Sequence, residues 1–99
     1  MEPEELAAAG EHDLSVSVQD VFVLPGRGTV VVGVVEHGRV GADAVVGVRR
    51  DGTVIRHASV LGILVRHEDV ESASAGTAVG LVLAGVGRED LRRGDVICW

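Results

Sequence analysis

Lysine and tyrosine are absent from this chain, and cysteine, methionine, tryptophan and phenylalanine occur once each. Without lysine there is no phosphate-loop lysine, no Schiff-base lysine and no lysine general base. The single cysteine, Cys98, cannot close an internal disulfide, which excludes a disulfide-stapled secreted scaffold. Two aromatics in 99 residues leave little to stack on a nucleic-acid base. Apolar runs last only a few residues, far short of a membrane span. No basic amino-terminal segment precedes an apolar stretch, so no secretory signal is expected and the expected compartment is the cytoplasm.

Valine and glycine are abundant instead, with 21 and 14 residues. That β-branched excess predicts strands, with glycine at turns and bulges. The length fits one small domain, which buries only ~60–65% of its unfolded surface and so needs a simple core. The formal charge is −6, and it is unevenly placed. Residues 1–20 hold six acids and no base, whereas residues 21–99 hold nine arginines against nine acids. Residues 1–14 therefore read as an acidic flexible tail and 15–99 as a domain that is neutral beyond Asp20. Within the tail, Pro3 ahead of Glu4 to Ala9 could open one short helix, stopped by Gly10 and too short to stand alone.

From residue 15 the chain reads as strand and turn. Ser15 to Leu24 alternates before turning apolar on both faces. Pro25-Gly26-Arg27-Gly28 predicts a turn with two glycines free to adopt positive φ. Thr29 to Glu36 is a valine run, and Gly33 inside it predicts a bulge or sharp bend. Asp43 to Arg49 reads as a third strand, and Asp51-Gly52 is the strongest hairpin signal. Val54 to His67 is one strongly coiled strand, or two with a bend near Gly62. Glu68 to Gly76 reads as a polar connection and Thr77 to Leu83 as a strand. Gly87 to Gly94 reads as a loop with one helical turn, and Asp95 to Trp99 as a closing strand. Such spacing fits a closed barrel or a sandwich. Closure avoids the sticky edges that valine-rich strands would otherwise leave.

Two blocks then carry a resemblance. Asp20 to Gly38, reading DVFVLPGRGTVVVGVVEHG, resembles the opening of the second domain of elongation factor Tu and related translational GTPases. Ala75 to Val96 resembles a later block of the same domain: an Ala-Gly step, a Val-Gly strand, then a Gly-x-x-Arg-Glu loop ending in Gly. Both occur in order, so the resemblance covers about residues 19–97. It implies an all-β fold, a small six- or seven-stranded Greek-key β-barrel. Those GTPases carry a nucleotide-binding domain ahead of the barrel, whereas nineteen residues precede the match here and two follow it. A stand-alone domain, with no GTP binding or hydrolysis by this chain alone, is the expectation.

In relatives that carry aminoacyl-tRNA, this barrel helps hold the aminoacylated 3′ end. Carried over by residue, Asp20, Phe22, Gly28 and Glu36 match the family, and Arg27 lies in the matching turn. The family's Thr before the strand glycine is Val32, and its following Arg is Val34. The Glu and Arg that line the terminal-adenosine pocket are Leu61 and Leu64. The Asn before Val-Gly is Ala78, and the Arg of Leu-Arg-Gly is Ala84. The family's Val-Gly-Asp step departs at Ala42-Asp43-Ala44. Each pocket change removes a polar partner for the nucleotide. A neutral barrel behind an acidic tail also lacks the electrostatic footprint of a phosphate binder.

Two functions follow as expectations. One is a non-catalytic interaction module that binds a protein or itself through an exposed apolar patch. Its plain counterpart is compositional drift leaving scattered valines and leucines without a role. The other is a translation-associated factor contacting tRNA, the ribosome or a separate translational GTPase, through Arg27, Arg39, Arg49, Arg50 and Arg56 on one rim. Its plain counterpart pairs those arginines with Glu36, Asp43 and Asp51. No enzyme, cofactor, metal or membrane partner is expected. His67-Glu68-Asp69 with Glu71 has metal-ligand chemistry but no second histidine or cysteine to complete a site. Cys98 reads as a small core hydrophobe.

Overall fold

A computed structural model describes residues 14–99. The expected acidic tail lies outside the described residues except for Leu14. That residue is buried, and its carbonyl accepts from the Trp99 amide. The described residues are all strand and turn apart from one 3-10 turn, Arg88–Asp90. In chain order the strands are β1 Ser15–Leu24, β2 Gly28–His37, β3 Arg39–Gly41, β4 Val45–Arg50, β5 Thr53–Val65, β6 Glu68–Val70, β7 Ser72–Ser74, β8 Ala78–Ala84 and β9 Val96–Cys98. The order β4-β9-β1-β2-β8-β5 closes through a β4–β5 pairing into a six-stranded antiparallel barrel, and β6 adds a seventh strand beside β5. β3 and β7 form a separate small ribbon.

Closure depends on β5. Its first half pairs with β4 through Ser59, and its second half pairs with β8 from Ser59 to Leu64. Within the β8-paired half a bulge between Val60 and Gly62 coils the strand, at the bend expected near Gly62. Asp43 and Ala44 grip the same point. The Asp43 amide donates to the Val60 carbonyl and the Val60 amide donates to the Ala44 carbonyl, both at 2.8 Å. Asp43 itself has φ 70, a corner conformation, so β4 begins at Val45 and not at Asp43.

Six strands enclose a narrow interior, which explains the composition. The core is filled by valines from β1, β2 and β4 and by Val60, Ile63, Leu81, Leu83 and Ile97, with no aromatic ring among its buried side chains. Stiff β-branched side chains fill such a space with little entropy loss. Val40 and Ala73 of the β3–β7 ribbon join this core, as do Val86 and Leu91 before β9.

The turns follow their chemistry. Leu24 accepts from the Arg27 amide across Pro25 and Gly26, with Gly26 at φ 82, the type II arrangement. Asp51 and Gly52, at φ 52 and 81, form the two-residue turn favoured in hairpins. Gly33 differs from expectation in one respect. The bulge lies across from it in β1, between Val18 and Asp20. Gly33 is instead the point of close approach, since a Cβ there would run into the Ser17 carbonyl. The span Glu68 to Gly76, expected as a polar connection, contains β6 and β7. Three-residue strands show no period in a sequence.

One buried charge ties the barrel's last loop to β4. Asp95 is 2% exposed. Arg50 donates to both its oxygens, Nε to Oδ1 at 2.9 Å and Nη2 to Oδ2 at 2.8 Å, and the Arg92 amide donates to Oδ2. Arg50 also reaches the Asp90 carbonyl. These hydrogen bonds, Arg50 first, hold the Asp95 carboxyl below its ordinary value of 3.8 against the opposing effect of burial.

Two outcomes are expected. Gly33→Ala loses about 2–3 kcal/mol in urea unfolding, because backbone must move to admit the Cβ. Asp95→Asn melts several degrees below the parent at pH 7. A depressed folded-state pKa gives stability that is complete above the unfolded value and is lost as pH falls through the folded one. The difference in melting temperature therefore closes in strong acid.

Candidate binding groove

Antiparallel partners put matched side chains on one face, so register shows which residues meet outside the barrel. Phe22 lies opposite Val30, Val30 opposite Val82, and Val82 opposite Gly62. The next row is Asp20, Val32, Gly80 and Leu64, followed by Val34 opposite Ala78. Val30 and Val82 are each 1% exposed yet lie outside the core cluster, so the outer face has its own buried apolar pair.

Arg27 crosses this face. Its Nη2 is 3.0 Å from Asp69 Oδ1 on β6, and a Cβ at Gly62 would meet that nitrogen at 2.9 Å. Glycine at 62 thus leaves room for the arm. Both partners of the pair are largely solvated, which limits its strength.

Beside the arm lies an open groove of about 250 Å3. Phe22, Val30, Val32, Leu64, Ala78 and Gly80 form its apolar surface, and Arg66 and His67 stand at its lip. Gly80 leaves the floor open. A Cβ there would meet Val30 Cγ1 at 3.5 Å and Leu64 Cβ at 3.6 Å, ordinary contact distances, so a side chain at 80 fills the groove without forcing the strand.

Four of the candidate residues meet in this groove: Phe22, Val32, Leu64 and Ala78. The others do not line it. Asp20 caps the Val21 amide, sits 3.9 Å from Arg93, and lines a separate hollow of about 440 Å3 with Arg88, Glu89, Arg92 and Arg93. Leu61 is thrown outward by the β5 bulge and is 54% exposed. Val34 lies half-buried one row on, and Glu36 is exposed near the end of β2. Gly28 has φ 130 and packs close to the Leu83 carbonyl, a turn role. Val30, Gly80, Arg66 and His67 were not candidates. Val30 and Gly80 follow once the strand register is known, and no glycine or asparagine marked the turn at 66–67.

The arginine rim is corrected. Arg27 pairs with Asp69, Arg39 donates to Ser72, Arg50 binds Asp95, and Arg56 lies 3.5 Å from Asp90. Arg27 and Arg39 are engaged at separate places while Arg50 and Arg56 meet at Asp90, and none of these contacts is with Glu36, Asp43 or Asp51. Among the described residues no group of three or more His, Cys, Asp or Glu side chains could hold a metal ion. Among the same residues no helix is long and apolar enough to cross a membrane.

A closed antiparallel barrel with a bulged, shared fifth strand defines the class: a β-barrel domain of the translation-factor type. The chain belongs to the family described as elongation factor Tu domain 2, whose model matches residues 28–98. It is similar to translation elongation factor SelB from Methanococcus maripaludis in its apo form, at 27% identity and a TM-score of 0.76 over 86% of this chain and 18% of that one. It is similar also to a bacterial selenocysteine-specific elongation factor, EF-Sec, at 27% identity and a TM-score of 0.77 over 96% of this chain and 17% of that one. The chain thus spans less than a fifth of either protein. The matched domain is the barrel module and not the GTPase domain.

Arg27→Ala is expected to lower stability by less than ~1 kcal/mol, because an exposed pair contributes little. A urea titration checks this. A larger loss would mean that the arm's packing over the outer valines outweighs its charge.

Proposed function

We propose that this barrel is a non-catalytic interaction module that binds a protein partner, or a second copy of itself, through the outer groove. One observation carries the reading. Val32, Leu64 and Ala78 stand where the family resemblance puts polar contacts to the aminoacylated end of tRNA, and they assemble into one apolar groove. An apolar groove with Phe22 exposed at its side suits an apolar side chain from a partner. It offers no carboxylate or amide to a nucleoside edge.

A second reading rests on the Arg88, Arg92 and Arg93 hollow together with the family assignment. In it the barrel contacts tRNA, the ribosome or a separate translational GTPase. Asp20 and Glu89 in the same hollow offset part of its positive charge.

One set of measurements separates them. Light scattering over rising concentration reads self-association, and pull-down from the cell of origin reads other partners. Two variants probe the groove: Leu64→Asp, which charges it, and Gly80→Val, which fills it. Both are expected to abolish whichever association the parent shows while leaving its melting temperature within a few degrees. Aminoacyl-tRNA is expected not to bind, even in low salt where phosphate contacts are strongest. Low-salt tRNA binding that Arg92→Ala and Arg93→Ala weaken, with Leu64→Asp silent, overturns the groove reading in favour of the second.

A further inference from the structure

The β5–β6 turn and the β4–β5 turn share one geometry and differ in chemistry. Both are two-residue hairpin connections, with Arg50 opposite Thr53 in one and Val65 opposite Glu68 in the other. Asp51 and Gly52 take φ 52 and 81, while Arg66 and His67 take φ 53 and 69. Asp-Gly is relaxed in such a turn. Arg-His is not, because a Cβ in the left-handed region crowds the following carbonyl. Strain of this kind is concentrated at binding sites, where the conformation serves to place a side chain.

What the strained pair gains is its place at the groove lip. No acid lines that groove. Asp69, the acid two residues beyond His67, is held by Arg27. Glu68 shares a neighbouring hollow with Arg66, but no ion pair forms between them. Arg66 is exposed and has no counter-ion within 4.0 Å among the described residues. An apolar floor therefore meets an uncompensated guanidinium, on a chain whose net charge is −6.

Size and charge narrow the occupant. A groove of about 250 Å3 is small for a cofactor, whose sites run to ~300–1,000 Å3, and holds one or two aliphatic side chains. Leu64 and Arg66 line the same groove, so an occupant that matches both carries an aliphatic group beside an anion. We propose that the groove binds the carboxyl-terminal residue of a partner polypeptide. Its aliphatic side chain lies on Val32, Leu64 and Gly80, and its terminal carboxylate is held by Arg66, with His67 as a second donor. This deepens the reading of the groove as a protein-binding site and rests on it. An aminoacyl ester presents no carboxylate, so the same chemistry separates a protein end from a charged tRNA end.

The test uses the full chain and a fluorescent peptide ending in Ala-Ala-Leu, made as the free acid, the amide and the methyl ester. Fluorescence polarisation is expected to show the acid binding at least ~10-fold tighter than either neutral form, the advantage of a charge-assisted pair. Arg66→Gln is expected to erase that preference. The double variant Arg66→Asn with His67→Gly is expected to lose the preference while melting higher, because its turn is relaxed. That rise separates loss of binding from loss of fold. Equal binding of acid and amide overturns the terminal-carboxylate proposal and leaves the groove reading intact. An ester that binds as well as the acid overturns it in favour of an aminoacyl end. If no form binds up to millimolar concentration the proposal fails, and the Leu64→Asp association test then decides the groove reading separately.

Discussion

The bulge in β5 is the constraint on which the rest of the structure depends. A thirteen-residue strand that served one neighbour would leave the sheet open. Ser59 pairs with both β4 and β8, so the strand bridges the two and closes the barrel, and the bulge at Val60 to Gly62 coils its β8-paired half. The same bulge sets the outer face. It turns Leu61 into solvent, puts a side-chain-free residue beneath Arg27, and returns Leu64 to the groove floor opposite Gly80. Fold and candidate site thus share one irregularity, as barrels often combine corner-making with side-chain aim.

Charge has been put to local use. Within residues 21–99 acids and arginines balance, and the pairs they form fasten segments together. Arg27 fastens the first hairpin to β6. Arg50 fastens β4 to the loop before β9, and Arg56 approaches Asp90 in that loop. Of these, the bidentate contact on buried Asp95 carries structural weight, because a carboxylate at 2% exposure requires partners for its oxygens. Among the described residues Arg66 has no ion pair, and it borders an apolar surface.

Much of the barrel was legible in the sequence, for physical reasons. Asp51-Gly52 and Pro25-Gly26 announce turns that few other residues adopt. Val79, Leu81 and Leu83 alternate because only one face of β8 enters the core. Other features had no local signal. β3 and β7 are held by each other across a long stretch of sequence, and β6 follows a hairpin turn with no turn residue to announce it. The partners of the arginines are set by register and lie 33 to 45 residues away for Arg27, Arg39 and Arg50. Half of the candidate site shared this fate. Phe22, Val32, Leu64 and Ala78 came together because the family's positions map onto neighbouring strands. Leu61, one residue off the regular pattern, was turned away by the bulge, and Arg66 and His67 occupy a turn that their residue types disfavour.

The central claim is that the barrel keeps its closure while its outer groove favours an apolar protein segment over an aminoacylated RNA end. Methyl NMR on the full chain tests it most directly, with Val32, Leu64 and Ala78 as reporters. Titration with a saturating peptide bearing an aliphatic carboxyl terminus should shift those methyls, and low-salt aminoacyl-tRNA should leave them in place. Shifts of the same methyls with aminoacyl-tRNA, and none with the peptide, would contradict the account.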